Sequence, residues 1–366
     1  MSIIELNQYE IKNYQGFACF DLDHTVIKPS SGRVFPKDRD DWKFMDNVVS
    51  TLKTFHNAGW LVIIFTNQSG LKTSKKFTIE DFKYKLTDIA NNLDINIKFL
   101  ASLEKDYFRK PMLGIWEKIQ NEFNYINQHH ITKFYCGDAF NPHDKLRASD
   151  LRFAWHAKID FIYPRELFKK DFTIEMLKQA IELSKTEFNN TIEYYKQLIS
   201  SYFMPEDHNN LLTISQFKNK YKYIFIISPP SSGKSTFCKK YLSDFIQLSK
   251  DDYKTKAKYI KAVIDNKDKK IVFDNTNYTD KSRKEIIDIL VSYNIDINDI
   301  GFIIRDVTKP LSMYLNNYRC MITKGEHKLI PDVAIHSYFK NVSYPKNNFI
   351  KLPPMITSLE HKYLLF

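Results

Sequence analysis

Short apolar runs alternate with amphipathic stretches through the first half of the chain. GFACF, WLVIIF, INIKFLA and KFYCG have the length and composition of buried strands. Between the first three runs lie DNVVSTLKTFHNAG and TIEDFKYKLTDIANNL, in which apolar residues recur at helical spacing. Because this alternation is typical of βαβ units, it predicts an α/β domain with a parallel sheet over residues 1–168.

A second series of the same kind begins near residue 221. YKYIFII, KKIVFDN and DIGFIIRD predict buried strands with helices between them, so residues 221–366 are predicted to form another α/β domain with a parallel sheet. Residues 169–220 are polar and helical in pattern, with an interruption at MPEDHNN. We therefore predict two α/β domains in series, joined by a helical connector.

Composition narrows the class of protein and of partner. The 366 residues are 43% hydrophobic, no apolar run is long enough to span a membrane, and the first residues lack the pattern of a signal sequence. We expect a soluble intracellular protein, in the nucleus or the cytoplasm. The four cysteines form no CxxC pair, which favours buried, reduced thiols over a zinc site. The net charge of +11 favours polyanionic partners, although the basic residues are spread over the whole chain.

Acidic residues directly follow predicted strands of the first domain. Asp21 and Asp23 come after GFACF, and Asp138 comes after KFYCG. Ligands of open parallel sheets bind beyond the carboxyl ends of the strands, so these side chains are expected at one site. Carboxylates this close repel one another unless they share a cation, which predicts a Mg²⁺ site. Asp150, in RASD, is a weaker candidate for the same metal cluster.

The order of motifs in this half resembles that of the haloacid dehalogenase (HAD) phosphohydrolases. An apolar strand with DxDxT is followed by a strand ending in Thr66, by Lys110 before a proline, and by a strand with Gly-Asp. The resemblance implies a HAD-like fold in which Asp21 attacks phosphorus to form an aspartyl-phosphate and Asp23 acts as general acid and then base. It also implies that Thr66 binds a phosphoryl oxygen, that Lys110 neutralises charge, and that Asp138 holds Mg²⁺ against both acids.

The stretch YIFIISPPSSGKSTF predicts a phosphate-binding loop between a strand and a helix. Ser228 to Gly233 have the spacing of a Walker A motif, in which Lys234 reaches the β- and γ-phosphates and Ser235 binds Mg²⁺. The motif departs from the usual pattern at Ser228, which stands where a glycine is expected and precedes two prolines. The nucleotide-binding residues predicted here are Ser228, Ser232, Gly233, Lys234, Ser235 and Thr236.

Other polar clusters of the second half agree with phosphoryl transfer from ATP. LSKDDY offers Asp251 and Asp252 as a base, and Asp274 ends a predicted strand. Successive side chains at a strand end point to opposite sides, so only one of the adjacent acids is expected to face the acceptor. We predict that Asp251 does so, and that Asp252 caps the next helix.

Nearly the whole chain, apart from the connector, resembles the bifunctional polynucleotide kinase 3′-phosphatases of DNA end repair. The similarity extends to SGRVFPKDRDDW, IFTNQSGL, FRKPMLGIW, FDNTN, NNYR and IPDVAIHSYFKNVSYP. It implies a P-loop kinase domain after the HAD-like domain, with Asp251 as general base on a 5′-hydroxyl. It further implies that Asp274, Asn277 and Arg283 line the acceptor side and that Arg319 is the lid arginine.

The same resemblance implies the partners. Nucleic acid ends, DNA rather than RNA, are the expected substrates, with Mg²⁺ and ATP as cofactors. We expect a monomer and, because Asp21 lies near the first residue, no preceding forkhead-associated domain for phosphoprotein scaffolds. Three alternatives stay open: an RNA end-healing enzyme, because neither motif set identifies the sugar, a nucleic-acid-binding scaffold with two decayed active sites, and a small-metabolite phosphatase fused to a nucleotide kinase.

Overall fold

The structure is a computed structural model that describes residues 2–10, 12–74, 77–141, 148–200 and 208–354. Strands and helices alternate along it, as the hydrophobic pattern predicts. In chain order the strands are β1 (Ile3–Gln8), β2 (Gly16–Phe20), β3 (Ile27–Lys28), β4 (Lys43–Phe44), β5 (Leu61–Asn67), β6 (Ile97–Ser102), β7 (Thr132–Cys136), β8 (Asp160–Ile162), β9 (Tyr223–Ile227), β10 (Ile246–Leu248), β11 (Ile271–Phe273), β12 (Ile300–Arg305) and β13 (Phe349–Leu352). The helices are α1 (Val48–Asn57), α2 (Ile79–Leu93), α3 (Gly114–Glu122), α4 (Ser149–Ala157), α5 (Pro164–Leu167), α6 (Leu177–Ser200), α7 (His208–Lys220), α8 (Lys234–Tyr241), α9 (Lys256–Asp265), α10 (Asp280–Ser292), α11 (Lys309–Ile322) and α12 (Asp332–Asn341).

The chain divides into two compact units. The first runs to Leu198 and includes Cys320–Lys328, and the second contains the other described residues from Ile199 onward. The division falls inside α6, because Leu177 and other residues of its first turns belong to the core of the first unit. Phe217 of α7 belongs to a core of the second. A connecting role for these helices stays a prediction, and the interruption expected at MPEDHNN lies mostly outside the described residues.

A six-stranded sheet forms the centre of the first unit, in the order β1-β6-β5-β2-β7-β8. Strands β6, β5, β2, β7 and β8 are parallel, as predicted, and β1 pairs antiparallel with β6. Ala18 and Phe20 of β2 belong to a core shared with α1 and α2. Phe65 of β5 instead contacts Trp116 of α3 and Phe153 of α4. Helices thus cover both faces of the sheet, which explains why β2 and most of β5 are fully buried.

The second unit contains a five-stranded sheet in the order β10-β11-β9-β12-β13, with every pair parallel. Tyr223 and Phe225 of β9 pack in a core with α9 and α10. Ile224 and Ile226 pack on the other face with α7 and α8. Since side chains of a strand alternate between faces, two apolar cores require the unbroken apolar run YIFII. The prediction of α/β units with parallel sheets is confirmed.

Threonine side chains cap the starts of helices α2 and α9. Thr78 and Asp81 form a reciprocal capping box at the start of α2. The side chain of Thr255 caps α9 by accepting a hydrogen bond from the Lys258 N–H, so the prediction that Asp252 caps this helix is wrong. Asp251 and Asp252 are both exposed in a 3₁₀ turn after β10, where the alternation of side chains along a strand does not apply.

Two further observations bear on the expectations from composition. All four cysteines are buried. Within the described parts of the chain, no helix combines the length and the apolar character needed to cross a bilayer.

Candidate active sites

The acidic residues of the first unit lie at the carboxyl ends of its central strands. Asp21 follows β2, and its N–H donates to the carbonyl of Cys136, the last residue of the neighbouring β7, at 2.9 Å. Thr66 lies near the end of β5, on the other side of β2, and is 1% exposed. The strand order β5-β2-β7 therefore brings together residues that are far apart in the sequence. We call this cluster the first site.

Lys110 reaches into the first site from the loop after β6. Its Nζ donates to Asp21 Oδ1 at 2.6 Å and to Asp150 Oδ1 at 2.7 Å, and it also bonds the Tyr135 hydroxyl. Asn67 holds the lysine backbone, because its side chain accepts from the Lys110 N–H at 3.0 Å and donates to the Lys110 carbonyl at 3.1 Å. The buried ammonium group is thus fixed between two carboxylates.

Asp150 takes part in the first site through two further contacts. Its Oδ1 accepts from the Tyr135 hydroxyl at 3.2 Å, and its Oδ2 accepts from the Ala139 N–H at 3.0 Å. Gly137 makes this approach possible, because a Cβ at that position would overlap the Asp150 carboxylate. The structure therefore brings Asp150, the weaker candidate from the sequence, to the centre of the cluster.

Three carboxylates of the first site are arranged to share a cation. One oxygen each of Asp21, Asp138 and Asp150 lies within 4.8 Å of the other two. Burial, followed by repulsion from Asp150, raises the pKa of Asp138 to about 6. Burial also raises the pKa of Asp21 well above its usual range, against the attraction of Lys110. Hard all-oxygen ligands that repel one another in this way fit Mg²⁺.

Asp23 has a different environment from that of the other acids. Its Oδ2 accepts a hydrogen bond from Gln68 Nε2 at 2.6 Å, and the same nitrogen donates to Thr66 Oγ1 at 2.9 Å. Among the described residues, the three carboxylates that lie close enough together to hold a metal do not include that of Asp23. Binding of Mg²⁺ by the Asp23 side chain stays a prediction. Gln68 was missed from the sequence, although its place directly after β5 was the signal available.

The phosphate loop of the second unit lies between β9 and α8. Gly233, with a φ of 76°, precedes the first residue of α8, and Ser228 Oγ donates to Ser232 Oγ at 2.7 Å in a buried position. Lys234 Nζ donates to the Pro229 carbonyl at 2.9 Å. Burial lowers the pKa of Lys234 to about 8, partly offset by the charge of Asp274. A helix N terminus with a lysine side chain that folds back onto the preceding loop is suited to bind phosphates.

Asp274, the residue after β11, lies beside the phosphate loop. Its Oδ2 accepts from Ser235 Oγ at 2.5 Å and from Gln247 Nε2 at 2.6 Å. Its Oδ1 is buried without a hydrogen-bond partner among the described residues. A buried carboxylate oxygen left over beside Ser235 fits a divalent cation that accompanies the nucleotide phosphates. The predicted place of Asp274 on the acceptor side stays a prediction.

The other predicted kinase residues are divided between buried and exposed positions. Asn277 Nδ2 donates to the carbonyls of Ile226 and Phe273 at 2.9 and 2.8 Å, so it ties the ends of β9 and β11 together. Arg283 donates to the Asn277 carbonyl at 2.8 Å and pairs with Asp280. Thr236 and Asp251 are exposed, and Arg319 is half-buried on α11. Contacts of these residues with a nucleic acid stay predictions.

Comparison with known proteins supplies the family. The family model described as polynucleotide kinase 3 phosphatase matches residues 16–168. The bifunctional polynucleotide phosphatase/kinase of Schizosaccharomyces pombe is 31% identical, over 92% of this chain and 78% of that protein. The polynucleotide 3′-phosphatase of Saccharomyces cerevisiae is 28% identical, over 41% of this chain and 85% of that protein. The resemblance and the enzyme class predicted from the sequence are thereby confirmed: the chain belongs to the family of bifunctional polynucleotide phosphatase/kinases.

Proposed function

We propose that the first site removes the 3′-phosphate from a nucleic acid strand through an aspartyl-phosphate on Asp21. The observation that carries this proposal is the convergence on Asp21 of Lys110, at 2.6 Å, with two further carboxylates within 4.8 Å. Asp21, Asp138 and Asp150 would hold Mg²⁺, which would supply charge neutralisation for the bound phosphate.

The chain's own residues provide the remaining steps. Asp21 attacks phosphorus while the bond to O3′ breaks, and Asp23, held by Gln68, gives its proton to O3′. Asp23 then takes a proton from the water that attacks the aspartyl-phosphate, which releases inorganic phosphate and restores Asp21. Lys110 keeps the developing negative charge paired throughout, and Thr66 donates to a phosphoryl oxygen.

The second site is proposed to transfer the γ-phosphate of ATP to a 5′-hydroxyl. Lys234 and the loop Ser228–Gly233 bind the phosphates, and Asp251 takes the proton of the hydroxyl. Ser235 and Asp274 would hold the cation that accompanies ATP; this role is supported by Asp274 Oδ1, which is buried and has no hydrogen-bond partner in the described part of the chain. Arg319, Asn277 and Arg283 are assigned to the lid and the acceptor side by the resemblance alone; Ser232 belongs to the loop, and Thr236 lies in the first turn of α8, which follows the loop.

The two activities are assigned to separate parts of the chain. Residues 1–168 form the phosphatase domain, residues 221–366 the kinase domain and residues 169–220 the connector in this proposal. DNA is the favoured substrate because the resemblance is to DNA end repair; the name of a relative that matches most of the chain supports a polynucleotide. The net charge of +11 supports an extended nucleic acid over a free nucleotide.

A single oligonucleotide with a 3′-phosphate and a 5′-hydroxyl tests the proposal. Asp21→Asn should abolish phosphate release and leave ATP-dependent 5′ labelling intact, whereas Lys234→Ala should do the reverse. Loss of both activities in either folded variant would contradict two independent sites. Faster processing of a matched RNA strand than of DNA would identify an RNA end-healing enzyme, and absence of both reactions in the unaltered chain would leave a binding scaffold. Turnover of mononucleotides without gain from strand length would favour small-metabolite chemistry.

A further inference from the structure

The phosphate loop contains a serine in a left-handed backbone conformation. Ser231 has a φ of 56°, two residues before Gly233. Glycine enters this region freely, whereas the Cβ of a serine is strained there unless neighbouring contacts hold the residue. Alternation of right- and left-handed residues turns successive N–H groups toward one point and so creates an anion-binding concavity. The conformation of Ser231 therefore matters for phosphate binding.

Side chains from outside the loop hold three of its residues in succession. The hydrogen bonds run from Ser312 Oγ to the Pro230 carbonyl at 2.7 Å, from Ser231 Oγ to Asn316 Oδ1 at 3.0 Å, and from Arg305 Nη1 to the Ser232 carbonyl at 2.6 Å. The three holding side chains, which come from α11 and from the end of β12, are at most 4% exposed. Only the middle bond involves a side chain of the loop itself, so only that bond depends on which residue stands in the loop.

The orientation of the Asn316 amide is set by a backbone segment on its other side. Its Oδ1 accepts from the Ile330 N–H at 3.0 Å, and its Nδ2 donates to the Ile330 carbonyl at 2.8 Å. A backbone N–H can only donate and a carbonyl can only accept, which fixes the oxygen of the amide toward Ser231. Ser231 must then be the donor, and its hydroxyl has a defined partner.

We propose that Asn316 is a positioning residue for ATP, which holds Ser231 in the left-handed conformation through its hydroxyl. This inference rests on the proposed kinase function of the second site. It explains how a phosphate loop without glycine at positions 228 and 231 keeps the shape that phosphates need. In this proposal Asn316 acts through Ser231 rather than through its own contact with ATP or the acceptor, so its effect falls on nucleotide affinity rather than on the transfer step.

A purely structural role for Asn316 leads to a different expectation. If Asn316 only joins α11 to Ile330, the loss of ATP affinity in Asn316→Ala does not depend on which residue stands at position 231. If it acts through Ser231, glycine at position 231 makes the contact unnecessary, because glycine takes a positive φ without support. A double-variant cycle between positions 231 and 316 separates the two roles.

The experiment measures the dissociation constant of Mg²⁺-ATP by calorimetry, and the KM for ATP in 5′ labelling, on the full chain. Ser231→Ala and Asn316→Ala should each weaken ATP binding about tenfold, the equivalent of one strained residue. Ser231→Gly should restore most of that loss in the Asn316→Ala background, while kcat at saturating ATP stays within about twofold. Ser292→Ala and Asn341→Ala serve as matched controls, because these exposed side chains form hydrogen bonds within α10 and within α12.

Three results would overturn the inference. One is an affinity of Ser231→Ala within about twofold of the unaltered chain. Another is a Ser231→Gly/Asn316→Ala variant as weak as Asn316→Ala alone, which would mean that Asn316 acts through Ile330. The third is a chain that binds no Mg²⁺-ATP, which would remove the proposed kinase function as well. A chain that binds ATP without labelling 5′ ends would contradict only the proposed function, because the binding constants still test the inference.

Discussion

Replacing Asp150 with asparagine tests how the first site fixes its buried lysine. The Lys110 ammonium group lies 2.7 Å from Asp150 Oδ1 and 2.6 Å from Asp21 Oδ1, and both Lys110 and Asp150 are almost completely buried. Asp150→Asn keeps the shape of the side chain and removes one of the two negative charges. The new amide also places an NH₂ group against either the Ala139 N–H or the Lys110 and Tyr135 donors, so one former acceptor position faces a donor.

The expected loss of stability follows from the partner that Lys110 keeps. Removing one partner of a buried ion pair costs about 3–5 kcal/mol, and because Asp21 still pairs with Lys110 we expect the low end, about 3 kcal/mol. Tyr135→Phe is the matched variant, since it removes the hydroxyl that accepts from Lys110 Nζ and donates to the same Asp150 oxygen, without changing any charge. Its expected cost is about 1.5 kcal/mol, the low end for hydrogen bonds to charged groups. For a unit of this size, these costs lower the melting temperature by about 6–12 °C and about 3–6 °C.

The assay uses the placement of the tryptophans. The four tryptophans of the chain, Trp42, Trp60, Trp116 and Trp155, all lie in the first unit, so tryptophan fluorescence reports the melting of that unit alone. Melting is followed in EDTA, which keeps metal binding out of the comparison. A loss for Asp150→Asn no larger than that for Tyr135→Phe would refute the reasoning that a charge, rather than a hydrogen bond, holds Lys110.

Three further predictions concern other groups. Asp138 has a pKa raised to about 6 and must lose its proton to bind metal. The Mg²⁺ affinity of the first site, measured by calorimetry, should therefore be about tenfold weaker at pH 5 than at pH 7.5. The Asp138→Asn variant should show neither this binding nor its pH dependence. Lys234 has a pKa lowered to about 8, so it loses its charge as the pH rises through that value; kcat/KM for ATP should fall between pH 7 and 9, and a flat profile would contradict the assignment. Thr78→Ala removes the capping box that Thr78 forms with Asp81 and should cost about 1 kcal/mol in the tryptophan melting assay, with a loss below about 0.3 kcal/mol indicating that the cap does not stabilise α2.

The alternation of strands and helices could be predicted from the sequence because hydrophobic periodicity is a local property. GFACF and YIFII are unbroken apolar runs. A strand that is buried on both faces of its sheet needs such a run, because side chains on each face pack in a core. The edge strand β1 was missed, because its burial varies from residue to residue and its pattern lacks such a run. β13, with two exposed residues, and the two-residue strands β3 and β4 were missed for the same reason.

The candidate site residues could be predicted where they belong to a motif in one stretch of sequence. Asp21, Asp23 and Lys234 stand at fixed spacings after apolar strands, and parallel topology places such residues at one edge of a sheet. The role of the adjacent acids Asp251 and Asp252 could not be argued in the same way, because the chain leaves the strand before them and turns.

Tertiary structure alone decided which side chains hold those motifs in place. Gln68 and Asp23 are separated by 45 residues, and Ser231 and Asn316 by 85. No periodicity relates residues at such separations; they meet because the strand order and the packing of helices bring their backbones together. A buried polar group must find a partner within hydrogen-bond distance, and only the folded chain determines which group stands at that distance.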